Sequence, residues 1–166
     1  ENTGFTVIQA KDLIADALCL LSICEDSLGL VDLKYKRLFD AKDIYSELND
    51  ALNVSTVYNL IGLKYFDDKQ YENAIAYADS AVLFAAKDNI LNQHAIAVQL
   101  LSDAFFELGK HEQALKFQKE YLQIHDSMYN ESVTEAISNV EVFVGTITKE
   151  KDNQILILTI AHQKKV

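Results

Sequence analysis

The chain has 166 residues, 49% hydrophobic and 24% charged, enough for one sizeable core and the composition of a folded protein rather than a disordered one. A formal net charge of −10 argues against a nucleic-acid surface, which needs clustered Lys and Arg to displace counterions; the acidity serves solubility or a basic partner. Proline is absent and glycine is limited to five, so few helix breakers occur and an all-α class is expected.

From Phe5 to Leu28 the apolar positions Phe5, Ile8, Leu13, Ala17, Leu18, Leu21 and Cys24 fall at helical intervals, and Gly29 supplies a stop. Cys19 and Cys24 lie on this helix with α-carbons roughly 8 Å apart, too far for a disulfide, and are read as small buried side chains. A second helix follows from Val31 to Leu48 with Leu38, Ala41, Ile44 and Tyr45 on one face. Residues 5–49 thus read as a worn first hairpin, in which Lys34 stands where later units carry alanine.

Asn53 is the expected N-cap of the next helix. Residues 54–88 form the clearest unit: Tyr58, Ile61, Gly62 and Tyr65 on one segment, a solvated turn at Asp67 to Gln70, then Ala74, Ala78 and Ala81 on a second. Residues three and four apart share a helix face, so the bulky stripe of the first segment is expected to enter the small-residue groove of the second. Residues 90–128 repeat the offsets through Val98, Leu101, Ser102, Phe105, Gly109, His111, Ala114, Gln118 and Tyr121, with Ala74 to Ala114 a step of 40. The length beyond the basic 34-residue period is expected around Lys87 to Gln93.

Ser132 and Glu135 form an S-x-x-E capping box, which predicts a new helix over 131–166. Val133, Ile137, Val140, Val144 and Ile147 step by four, three, four and three, the seam of a heptad repeat. Such a helix caps the last hairpin or dimerises through the seam. Beyond Lys149 the β-branched run Ile155 to Ile160 fits helix or strand, and no window is apolar enough for a membrane span.

These spacings are those of the tetratricopeptide (TPR) family, which the chain resembles over about 55–128 and more weakly over 13–48. The resemblance implies an α-solenoid of about three helix hairpins plus a C-terminal helix. The run Tyr121 to Glu131, YLQIHDSMYNE, followed by a long helix, resembles the end of the TPR sensor region of bacterial membrane-tethered regulators and sensor kinases. That likeness implies a periplasmic sensor or scaffold part of a signal-transduction protein, with a cytoplasmic place as the alternative. Lys164 and Lys165 would then flank an absent span.

Enzyme signatures are missing: there is no phosphate loop, H-E-x-x-H, paired-cysteine motif or G-x-S-x-G elbow, so neither catalysis nor a cofactor or metal is expected. His111 occupies a position where an aromatic begins the second helix of the repeat, and is read as packing. The TPR pattern implies binding on a concave wall formed by Thr56, Asn59, Leu63, Phe66 and Asp67, then Gln99, Asp103, Phe106 and Glu107, with Cys19, Ile23 and Asp26 from the worn unit. No Lys or Arg lies among them, so a clamp for a peptide carboxylate is not expected. Two phenylalanines among carboxylates suit an apolar protein or peptide segment with basic flanks. The alternatives are a self-associating scaffold, a homodimer through the Val133 to Ile147 seam, and a small-ligand sensor.

Overall fold

The computed structural model describes residues 3–163, and the side chains of these except 3–6, 31–32, 152 and 155–163. The readings placed on Lys164 and Lys165 lie outside the described residues. Six α-helices follow one another: α1 (Thr3–Ser27), α2 (Val31–Glu47), α3 (Ala51–Asp67), α4 (Tyr71–Lys87), α5 (Leu91–Glu107) and α6 (His111–Gln163). There are two compact units, divided after His125. The first is an all-α solenoid of stacked hairpins; the second consists of the remainder of α6.

A single turn design, repeated every 20 residues, sets the solenoid's beat. Gly29, Asn49, Lys69, Asn89 and Gly109 adopt φ of 72°, 56°, 59°, 54° and 72°, the left-handed conformation that ends a helix. The N–H of the next residue then bonds five residues back: Leu30 to Glu25 O (2.8 Å), Asp50 to Tyr45 O (3.0 Å), Gln70 to Tyr65 O (2.8 Å), Ile90 to Ala85 O (2.8 Å) and Lys110 to Phe105 O (2.9 Å). These bonds satisfy carbonyls that a helix end would leave orphaned. Only two of the five positions are glycine, so three of the turns carry no glycine signal in the sequence.

The expected extra length around Lys87 to Gln93 is not there. Each of α2 to α5 has 17 residues, so the 40-residue step comes from lengthening both helices of every hairpin equally. Asn53 is not the N-cap either: Asp50 is, its carboxylate accepting the Asn53 N–H at 3.0 Å and the Asn53 side-chain amide at 2.9 Å. Cys24 is exposed rather than buried, and Cys19 is half-buried.

Packing places the small residues at the centre. Ala74, Ala78, Ala81 and Ala85 of α4 are fully buried, and the Ala78 side is filled by Leu100 and Leu101 of α5. Gly62 makes the approach of α3 to α4 possible: a methyl group there would lie 3.4 Å from Ala74 O and 2.8 Å from Leu100 Cδ2. Tyr58 and Tyr65 do not enter the alanine groove as expected. Tyr65 stacks between Tyr35 (4.5 Å between ring centres) and Tyr77 (5.2 Å), and Tyr58 meets Phe84 at 5.5 Å, so the tyrosines join α3 to both α2 and α4. The reason is volume, because a tyrosine ring does not fit a groove already closed by leucines.

Lys34, the residue that breaks the small-residue rule, is 2% exposed. Its ammonium lies 2.8 Å from Asp26 on α1 and 3.3 Å from Asp68 after α3, while Lys64 on α3 also grips Asp26 and the Tyr35 hydroxyl donates to Asp68 at 2.8 Å. Burial pulls the Lys34 ammonium down, and the two carboxylates outweigh it, holding the group above its ordinary value. The turn at Asp67 to Gln70 is exposed as expected, and within it Asp68 also forms half of an ionic tie between the first two hairpins.

α6 corrects the expected helix start at Ser132. The helix runs unbroken from His111 to Gln163, 53 residues, and Ile155 to Ile160 are helical in their backbone. No proline, glycine or left-handed residue interrupts the Tyr129 to Glu131 stretch. A capping serine contributes about 1 kcal/mol, too little to offset the helical bonds that a break would cost.

Candidate binding surface

The residues expected on the concave wall lie on α1, α3 and α5, and several of them are not available to a partner. Asn59 is 3% exposed, its amide donating to the Gln93 backbone oxygen (3.0 Å) and side-chain oxygen (2.9 Å), so it ties α3 to α5 and offers nothing to a partner. Asp26 is committed to Lys34 and Lys64. Phe66 is half-buried with its edge on Tyr71, 5.3 Å between centres, and packs against the α4–α5 core.

Thr56 and Cys19 line a small cleft of about 290 Å³ with Asp16, Leu20 and Tyr45. Burial, and then the neighbouring Asp16, push the Cys19 thiol up to about 11, so it stays protonated at neutral pH and is a poor nucleophile. Leu63 is exposed at 38% and Ile23 at 49%, and Asp67 points to solvent 4.0 Å from Lys64.

On α5 the predicted residues come together. Gln99, Asp103, Phe106 and Glu107 are all exposed, Phe106 at 61%. Asp103 and Phe106 line a cleft of about 380 Å³, with Ser102 on the same helix and His111, Ala114, Leu115 and Gln118 on α6 opposite. The His111 ring sits 5.3 Å from that of Phe106, so its contact is with an exposed aromatic at the cleft mouth rather than with the core. Ser102 donates to the Ala114 carbonyl at 3.1 Å, holding the two helices at the spacing that leaves this opening.

Leu115, 62% exposed, is the lining residue that sequence reasoning missed. It falls off the Ala114, Gln118 and Tyr121 stripe, and an exposed leucine one residue past a core alanine was the available signal. Burial, and then the nearby Glu107, hold the Asp103 carboxyl above its ordinary value. A cationic group arriving at the cleft would relieve that strain. The arrangement thus combines two exposed apolar side chains with an acidic edge; among the described residues no cluster fit to hold a metal ion occurs.

The seam residues on α6 form a separate surface. Val133, Ile137, Val140, Val144 and Ile147 are exposed at 39%, 56%, 61%, 54% and 39%. Among the described residues no helix is long and apolar enough to cross a membrane.

No protein-family model matches this chain, and no curated protein does. Among solved structures, the crystal structure of the TPR domain of Arabidopsis FLU resembles it, with a TM-score of 0.61 at 17% identity over 70% of this chain and 98% of that one. At that identity the likeness establishes the fold: the chain is an α-solenoid of TPR-like hairpins.

Proposed function

We propose that this chain is a non-enzymatic protein-interaction module, the sensor or scaffold part of a bacterial signal-transduction or transcriptional regulator. Its ligand is an apolar peptide segment with basic flanks, seated on Phe106 and Leu115 with its cations against Asp103 and Glu107. The observation that carries this reading is Phe106, a large aromatic 61% exposed that lines one cleft with the Asp103 carboxylate. Aromatic anchors in pockets dominate interface energies. The periplasmic placement and the bacterial regulator rest on the run Tyr121 to Glu131, which continues into a long helix as in the proteins it resembles.

Phe106→Ala should weaken binding of a fluorescent amphipathic peptide with a leucine face and lysine flanks by about 30-fold, a loss of roughly 2 kcal/mol, without changing helicity. Unchanged anisotropy titrations would sink the proposal. Phe66→Ala should instead lower stability, since that ring is part of the packing. Binding should also fade on acidification at a higher pH than an ordinary carboxylate would cause, because a raised Asp103 loses its charge sooner.

A second reading, self-association through the α6 seam, is supported by five exposed β-branched residues at heptad spacing. Val140→Asp with Val144→Asp should dissociate such an oligomer in light scattering. A mass that the double variant leaves unchanged would remove this reading.

A further inference from the structure

We infer that the outer face of α1 is a two-fold interface between two copies of this chain. Ala15 and Ser22, 0% and 2% exposed, mark the side of α1 turned inward. The opposite strip carries Leu13 and Leu20, exposed at 68% and 65%, and Leu28, exposed at 74%, follows just past its end. Ile14 (53%) and Leu21 (46%) run along its edge. No charged residue stands on the strip. Off the strip, Lys11 pairs with Glu47, Glu25 with Arg37 and Asp26 with Lys34, while Asp16 at the rim accepts the Tyr45 hydroxyl. A helix apolar on both its inner and outer sides belongs in an interior.

The repeat shows what kind of neighbour the strip takes. Forty residues on, Val54, Val57 and Ile61 of α3 are 1%, 1% and 0% exposed, buried with Leu38, Ala41 and Tyr45 of the preceding helix. Their counterparts Ile14, Ala17 and Leu21 keep the apolar character and stay uncovered. The occupant is therefore a helix.

A second α1 fits this place because the strip reads alike in both directions from Ala17. In an antiparallel pair crossing there, Ala17 meets itself, Ile14 meets Leu20, Leu13 meets Leu21, and the small Ala10 meets the small Cys24. Small residues at the crossing allow close approach while leucines close the flanks, which is the self-complementarity a two-fold interface requires. The four large side chains Leu13, Ile14, Leu20 and Leu21 at roughly 100 Å² each, with the exposed Ala10, Ala17 and Cys24 adding about 100 Å² together, give about 1,000 Å² for two copies, the threshold of a specific interface. A lipid surface would favour a cationic rim, whereas the rim here carries Gln9 and Asp16.

The test is light scattering over a range of concentrations, with Val140→Asp and Val144→Asp in every protein so that the α6 seam contributes nothing. The background protein is expected to be a dimer. Ala17→Asp and Ala17→Lys should each weaken it at least 100-fold with unchanged circular dichroism, and mixing the two should restore a dimer, since only a two-fold through position 17 brings that residue to its own copy. A monomeric background overturns the inference, as does a dimer indifferent to either charge. Dissociation by both charges without recovery on mixing overturns the two-fold geometry.

Discussion

Replacing Lys34 with alanine is expected to destabilise the solenoid by about 3 kcal/mol, although it installs the residue that the equivalent positions Ala74 and Ala114 carry. Two effects add. The four-carbon stem fills space between α1 and α2 that alanine leaves empty, and the 3% exposed side chain is the shared cation of Asp26 and Asp68. Those carboxylates keep 29% and 30% exposure and retain Lys64 and Tyr35, which places the cost at the low end for a broken buried pair. Lys34→Met, which restores the stem without the charge, should recover about half of the loss.

The effect should depend on pH in a defined direction. The hydrogen bond from Lys34, and next that from Lys64, hold the Asp26 carboxyl below its ordinary 3.8. Such a group stabilises the fold above its unfolded value and ceases to do so as the pH falls through the folded one. Urea denaturation should therefore show the Lys34→Ala deficit in full at neutral pH and a smaller deficit below about pH 3.8. A deficit that stays the same on acidification would contradict the ionic account and leave only the packing term.

Gly62→Val should be comparably damaging, by about 3 kcal/mol, because its first added carbon already falls 2.8 Å from Leu100 Cδ2 and its branches point at the α4 backbone near Ala74 O and Ala78 N. Gly62→Ala separates the causes. The gain of about 1 kcal/mol in helix propensity roughly offsets the displacement of a leucine tip, so alanine should stay within about 1 kcal/mol of the parent. Equal losses for alanine and valine would mean that the site requires glycine's backbone freedom, which a helical residue does not.

The helices and their pairing were legible because each hairpin carries its own message in local spacing: Ala74, Ala78 and Ala81 on one face, Ile61 beside Gly62 on another. What escaped depends on residues far along the chain. Lys34 looks like a defect until Asp26 on α1 and Asp68 just after α3 are seen beside it, 8 and 34 residues away. Asn59 looks like a groove residue until Gln93 closes over it from the next hairpin. Lys69 gives no sign of a left-handed turn, because the tertiary requirement for a 20-residue beat overrides its local preference.

The candidate surface was legible in part for the same reason. Asp103, Phe106 and Glu107 lie on one helix face and could be read from spacing alone. Leu115 and His111 reach the cleft only because α6 folds back after Gly109, whose φ of 72° sets the turn. The capping box at Ser132 failed for the opposite reason: a local signal of about 1 kcal/mol stood against a continuous helical ladder, and the ladder prevailed.

The claim that the α5–α6 cleft grips apolar segments with basic flanks is tested most directly by titrating one amphipathic peptide in two versions, with lysine flanks and with glutamate flanks, at low and at moderate salt. The account predicts that the lysine version binds at least 10-fold more tightly, that added salt narrows the gap, and that Asp103→Asn with Glu107→Gln removes it. Equal affinity of the two versions, or a preference for glutamate, would contradict it.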